Sequence, residues 1–108
     1  MKSVFICTRY KSANRTGKQR RLMTIYCRIA WDKGFFPIAP QLYLPQFLDD
    51  WSRTERVAAE KLSLKAIEYC SEVWVFGMTI AKNVKDEIAR AAELNIPVKY
   101  FDEFGEPV

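Results

Sequence analysis

Three short, almost uninterrupted apolar runs constrain this chain most: SVFIC (3–7), VWVF (73–76) and IPVKY (96–100). Runs of this length, rich in β-branched and aromatic residues, read as strands buried on both faces, which is the environment of a parallel sheet covered by helices. The stretch VWVFGMTIAKNVKDEIARAAELNIPVKY (73–100) carries a whole unit of that kind. It gives a strand, a turn opened by Gly77, a helix from about Lys82 to Leu94 and a second strand. Val84, Ile88, Ala91 and Ala92 are expected to face the core from that helix.

The remainder repeats the alternation. After SVFIC comes a polar, basic segment, and then Leu22, Ile25, Tyr26, Ile29 and Ala30 at helical spacing, closed by Gly34 at C′. FFPIAP (35–40) is a second short strand, placed near an edge because Pro37 has no N–H for a ladder. QLYLPQFLDDWSRT (41–54) breaks both periodicities and makes a long connection with a short helical turn. Ser52 or Thr54 is suited to cap the next helix, whose apolar stripe is Ala58, Leu62, Ala66, Ile67 and Cys70. FDEFGEPV (101–108) is a loose or edge-covering tail. Strand and helix alternating in this way predict an α/β fold: a flavodoxin-like, Rossmann-like three-layer sandwich on a mainly parallel four-stranded sheet in the order 2-1-3-4. Residues 1–108 are expected to form one domain, with no internal repeat or linker.

Composition narrows the chemistry. The sequence has no histidine, which removes the commonest general base and metal ligand, and with it any Ser-His-Asp or Cys-His arrangement. No metal or cofactor is expected. Cys7, Cys27 and Cys70 lack CxxC spacing and read as buried, reduced thiols in a cytoplasmic protein. No apolar run approaches the roughly 20 residues needed to span a bilayer, so no membrane partner is expected. Residues 1–33 carry nine Lys/Arg against Asp32 alone, whereas residues 34–108 carry eight against twelve acids. That basic third suits an anionic partner, or it is a solvated helix face. Lys18, Arg20 and Arg21 lack interleaved aromatic residues, so a nucleic-acid partner is not favoured. Gly17-Lys18 lacks the rest of a phosphate-binding loop, and no GxGxxG is present.

Ligands of open parallel sheets bind at the C-terminal ends of the strands. Arg9 and Tyr10 follow the first strand there, with Lys11, Asn14 and Arg15 extending the loop: a guanidinium fork for phosphate, and a ring and hydroxyl for base or sugar. Gly77, Met78 and Asn83 occupy the corresponding turn after the third strand. Asn83 is a possible N-cap with Asp86 at N3. Glu87 follows, either a carboxylate serving the helix dipole or an ionised nucleophile toward a sugar C1′. Tyr43, Gln46, Asp49 and Asp50 lie in the long connection. The two aspartates are suited to orienting a ribose hydroxyl, to binding Mg²⁺ weakly, or to capping the next helix, and capping is the commonest role for either alone.

Taken together, ICTRY, PIAPQLYLPQFLDD and CSEVWVFGMTIAKNVKDEI…LNIPV resemble the small nucleoside 2-deoxyribosyltransferase-like proteins over roughly residues 3–100. The resemblance implies a flavodoxin-like fold and cleavage or exchange of N-glycosidic bonds in nucleosides or nucleotides. It also implies a homodimer or higher homo-oligomer whose neighbouring subunit closes the site. Residue by residue it implies Glu87 as nucleophile, Tyr10 as a sugar contact and Arg9 as a phosphate contact. This chain departs from the pattern at Asn83, where a glycine is usual, and at Gln41, where the pattern has histidine. It departs again at Ser71, where the pattern has aspartate, and at Ser63, near the place of an aspartate that helps protonate the leaving base. The expected function is therefore nucleotide or nucleoside binding, with N-glycosidic cleavage or transfer through Glu87 and with Asp49 or Asp50 as acid. The alternative is a non-catalytic binder of an NAD-derived or cyclic signalling nucleotide.

Overall fold

A computed structural model describes residues 1–8, 17–49, 51–77 and 82–108, the side chains of residues 18 and 19 excepted. In chain order these form β1 (Ser3–Thr8), α1 (Gly17–Asp32), β2 (Phe36–Ile38), α2 (Arg53–Ile67), β3 (Glu72–Phe76), α3 (Lys82–Glu93) and β4 (Val98–Phe101). The four strands pair in the order β2-β1-β3-β4, and every pairing is parallel. The expected fold class is the one observed.

β1 lies in the middle of the sheet, and Val4, Phe5, Ile6 and Cys7 are all fully buried. Side chains of a strand alternate between faces, so β1 feeds two separate cores. Val4 and Ile6 join Trp74 and Phe76 of β3 beneath Met23, Tyr26 and Ala30 of α1. Phe5 and Cys7 join Val73 and Val75 beneath Ile67 of α2 and Val84 and Ala91 of α3. β2 is an edge strand, where Pro37 sits opposite Val4 without breaking an interior ladder.

Local sequence explains the ends of the elements. Gly34 (φ 89) closes α1, with Phe35 N–H donating to Ala30 C=O and Gly34 N–H to Trp31 C=O. α3 closes in the same way on Asn95 (φ 58), with Ile96 N–H donating to Ala91 C=O. Both are the left-handed cap that satisfies the last carbonyls of a helix. The Ser52 hydroxyl accepts from Glu55 N–H at 3.3 Å and caps α2. The connection before it contains two short 3-10 turns, Pro40–Leu42 and Leu44–Gln46.

Three expectations about helix faces are corrected. Ile25 is 47% exposed, and Met23 takes its place on the α1 face beside Tyr26. Leu62 is 48% exposed, whereas Ser63 is buried. Ile67 and Cys70 set the rotation of α2, and Ser63, four residues before Ile67, shares their side. On α3, Ala92 is exposed and Glu87 is buried. The strands β2 and β4 are also shifted by a residue or two from the apolar runs that suggested them.

The tail covers the β4 edge. Phe101 pairs with Pro107 in an antiparallel bridge, Val108 N–H donates to Tyr100 C=O, and the Tyr26 hydroxyl donates to Glu103 C=O at 2.8 Å. Gly105 turns this tail over α1 at φ +86, where an added Cβ would run into the Ile29 side chain. Gly105→Ala should therefore destabilise the fold by about 1–2 kcal/mol. Gly17→Ala, at a position with open space around it, should be neutral or slightly stabilising. Urea unfolding of both variants checks the contrast, and equal midpoints would mean that the tail is not docked.

Candidate functional site

Parallel pairing brings the C-terminal ends of β1 and β3 together, with Cys7 opposite Val75 and Thr8 opposite Phe76. Gly77 follows at φ 107, its N–H donating to Phe101 C=O. α3 then packs on this side of the sheet through Val84, Glu87 and Ala91. These residues are three and four apart, so they form one stripe. A carboxylate thus occupies the middle of an otherwise apolar seam.

Glu87 is 3% exposed. Its Oε1 atom is buried with no hydrogen-bond partner among the described residues. Burial pushes its pKa up from 4.5 to about 7; the Cys7 thiol pulls the other way, and the neighbouring Asp86 charge adds to the rise. The Cys7 thiol is itself raised well above its ordinary range, first by burial and then by Glu87. It therefore remains protonated.

This corrects the expectation of a permanently ionised carboxylate at a helix start. α3 has no acid in its first turn. Asn83 is the second residue of the helix rather than its cap, and Asp86 pairs with Lys82 at 3.0 Å. Desolvation of Glu87, one turn further on, outweighs the helix dipole, whose effect fades within the first turn.

The other expected residues are distributed as follows. Tyr43 is 53% exposed, its ring stacked with Phe47 at 6.4 Å between centroids. Gln46 Nε2 donates to Leu42 C=O at 2.9 Å. Asp49 holds the entry to α2: its Oδ1 accepts from Trp51 N–H at 2.9 Å and its own N–H donates to Glu55 at 2.8 Å. Asp49 thus caps and turns, and belongs to the β2–α2 connection. Arg9, Tyr10, Lys11, Asn14, Arg15, Asp50 and Met78 lie outside the described residues. Among the described residues, Gly77 follows the C-terminal end of β3, and Asn83 stands a turn before Glu87 on α3. Sequence reasoning missed Cys7 as a site residue. The signal was available, because Phe5 and Cys7 share a face by strand alternation and that face carries α3.

Among the described residues no group of three or more His, Cys, Asp or Glu is placed to hold a metal ion, and no helix is long and apolar enough to cross a membrane. A cavity of about 530 Å³ lies elsewhere, on the α1 face of the sheet between Phe35, Trp74, Lys99 and Phe101.

A parallel four-stranded sheet in the order 2-1-3-4, covered by helices on both faces, is the architecture of a flavodoxin-like fold. A solved 2-deoxyribosyltransferase from the psychrotolerant bacterium Bacillus psychrosaccharolyticus superposes with a TM-score of 0.74 at 16% identity, covering 98% of this chain and 76% of that one. At that identity the likeness is one of fold. The chain belongs to the family described as "Domain of unknown function (DUF7768)", whose model matches residues 2–101. No curated protein matches it.

The raised Glu87 pKa has a stability consequence. The folded protein binds this proton more tightly than the unfolded chain, so the contribution of Glu87 to stability is greatest below about pH 4.5 and falls as pH rises toward 7. Between pH 5 and 8 the loss should be roughly 2–3 kcal/mol. Glu87→Gln should remove that slope and be the more stable protein at pH 8. Urea unfolding at the two pH values tests this, and parallel behaviour of the two proteins would place Glu87 in a water-like environment.

Proposed function

We propose that the edge formed by the ends of β1 and β3 binds a nucleoside or nucleotide and that Glu87 breaks its N-glycosidic bond. One observation carries the reading: a carboxylate with an unpartnered, buried oxygen behind the ligand-binding edge of a deoxyribosyltransferase-like fold. In the proposed step the ionised Glu87 oxygen bonds to C1′ while the C1′–N bond breaks. The electron pair leaves on the base nitrogen, which takes a proton. Water or a second base then attacks C1′ and releases the carboxylate.

Arg9, Lys11 and Arg15 are assigned to phosphate, and Tyr10 and Tyr43 to sugar and base, following the sequence resemblance. Asp49 or Asp50 is assigned as the acid, and the Asp49 carboxylate also accepts from the Trp51 N–H. A homodimer or higher homo-oligomer belongs to the same reading. The exposed rings of Tyr43 and Phe47 in the β2–α2 connection support it, as apolar surface of that kind suits a second subunit.

A second reading, binding without turnover of an NAD-derived or cyclic nucleotide, is favoured by the residues around Glu87. Asp86 is paired with Lys82, and Ser63 stands buried where the resemblance has an acid. Chromatography of free base released from a nucleotide panel separates the two. Under the first reading the wild type releases base and Glu87→Gln does not. The wild-type rate should fall as pH drops below about 7, by about tenfold per unit well below it. Tight binding with the nucleotide recovered intact would establish the second reading, and equal release by both proteins would remove Glu87 from the mechanism.

A further inference from the structure

The cavity of about 530 Å³ on the α1 face has no part in the chemistry proposed for Glu87. Trp74 and Phe101 stand on the side of the sheet that packs beneath α1, whereas Glu87 packs with Val84 and Ala91 on the other side. The sheet separates the two places. A cavity of this volume suits a small organic ligand rather than a single trapped water.

Its interior is aromatic. Trp74 and Phe101 are buried and close the bottom, their ring centroids 5.0 Å apart and their planes inclined by 46°. Phe35 is half-buried and stands beside Trp74 at 4.8 Å and 59°. Rings inclined in this way offer both a face and an edge to a flat guest. The Trp74 indole is fixed in place, because its N–H donates to Glu72 Oε1 at 2.8 Å. The tail supplies another wall. Pro107 and Val108 line the cavity, held by the bridge to Phe101 and by the bond from Val108 N–H to Tyr100 C=O.

The rim is positive. Lys33, in the turn after α1, and Lys99, on β4, line the same cavity. Lys99 Nζ pairs with Glu72 Oε1 at 3.2 Å, which leaves two of its three N–H donors for a ligand. Lys33 enters no ion pair among the described residues. Nearby acids are engaged elsewhere. Asp32 pairs with Arg28 at 3.1 Å, and Asp102 Oδ1 accepts from Phe104 N–H and Glu106 N–H. A lysine at the end of a helix is accounted for by the helix dipole. A second lysine, brought by the sheet to the same aromatic cavity, is not.

We propose that this cavity is a second binding site, for a flat aromatic ligand carrying one anionic group, a carboxylate or a phosphate. The rings take the flat part, and Lys33 and Lys99 take the anion. The assignment is independent of the role of Glu87. Because the tail forms one wall, the bound ligand also holds the tail against β4.

The test is a titration of isotopically labelled protein with indoleacetate, its neutral amide and the cation tryptamine, and with deoxyadenosine monophosphate as the phosphate arm. NMR follows the Trp74 indole N–H, identified by its loss in Trp74→Phe, and the Val108 amide. Trp51, 81% exposed in the β2–α2 connection, is the internal control. One or both anions should shift the Trp74 and Val108 signals and leave Trp51 unmoved, and the one that binds identifies the anionic group. The neutral amide should bind about tenfold more weakly than indoleacetate, and Lys33→Met and Lys99→Met should each weaken the anion by about two- to fivefold. Lys33 is exposed, so Lys33→Met keeps the test open should Lys99→Met, which takes a partner from Glu72, fail to fold. Equal affinity for the acid, the amide and tryptamine would overturn the proposal, as would an unmoved Trp74 signal at millimolar concentrations of both anions. If the nucleotide alone binds, and moves the Gly77 amide but not Trp74, the binding edge proposed above is supported and this second site is refuted.

Discussion

The structure depends on β1 being enclosed on four sides. It pairs with β2 and β3, and its two faces are closed by α1 and by α2 with α3. Every side chain from Val4 to Cys7 is therefore removed from water, each worth about 1.5–3 kcal/mol where the chain is large and apolar. Parallel pairing needs a crossover after every strand, so all four C-terminal ends point the same way. The last residues of β1 stand in the middle of the edge they form, beside the end of β3.

Against that background Glu87 is costly. Stabilities of small domains are roughly 5–15 kcal/mol, and holding this carboxylate ionised at neutral pH takes up about 3 kcal/mol of it, as judged from its rise to about 7. Leucine or methionine at this point of the α3 stripe would avoid the cost. A buried ionisable group with an unpartnered oxygen is the kind of local inconsistency that binding or catalysis explains better than folding does.

The architecture was legible because strand burial and helix amphipathicity are written in residue type. Runs such as SVFIC and VWVF leave little choice of environment, and Pro37 marked the edge strand by what it lacks. The helix faces were less legible. Leu62 and Ser63 are neighbours in sequence, and hydrophobicity alone favours burying Leu62; the anchor points Ile67 and Cys70 reverse that order. The same effect hid Glu87: Ala92 is apolar and fits a helical stripe, but packing against the sheet selects the face of Val84 and Ala91, on which residue 87 lies.

The buried setting of Glu87 also bears on how well it could react. A carboxylate stabilised at a helix N-terminus is always ionised at neutral pH, but it is a weak base and a correspondingly weak nucleophile. Desolvation strengthens the base and at the same time protonates more of it. The product of ionised fraction and intrinsic reactivity is largest when the pKa lies near the working pH. At about 7, Glu87 stands close to that balance. A phosphate group held nearby would raise its pKa further, whereas the cationic side chains assigned to phosphate would lower it. In the proposed chemistry the cationic residues assigned to phosphate would therefore have a second part: besides holding the ligand they would offset its charge, so that Glu87 is not driven into its protonated form when substrate arrives.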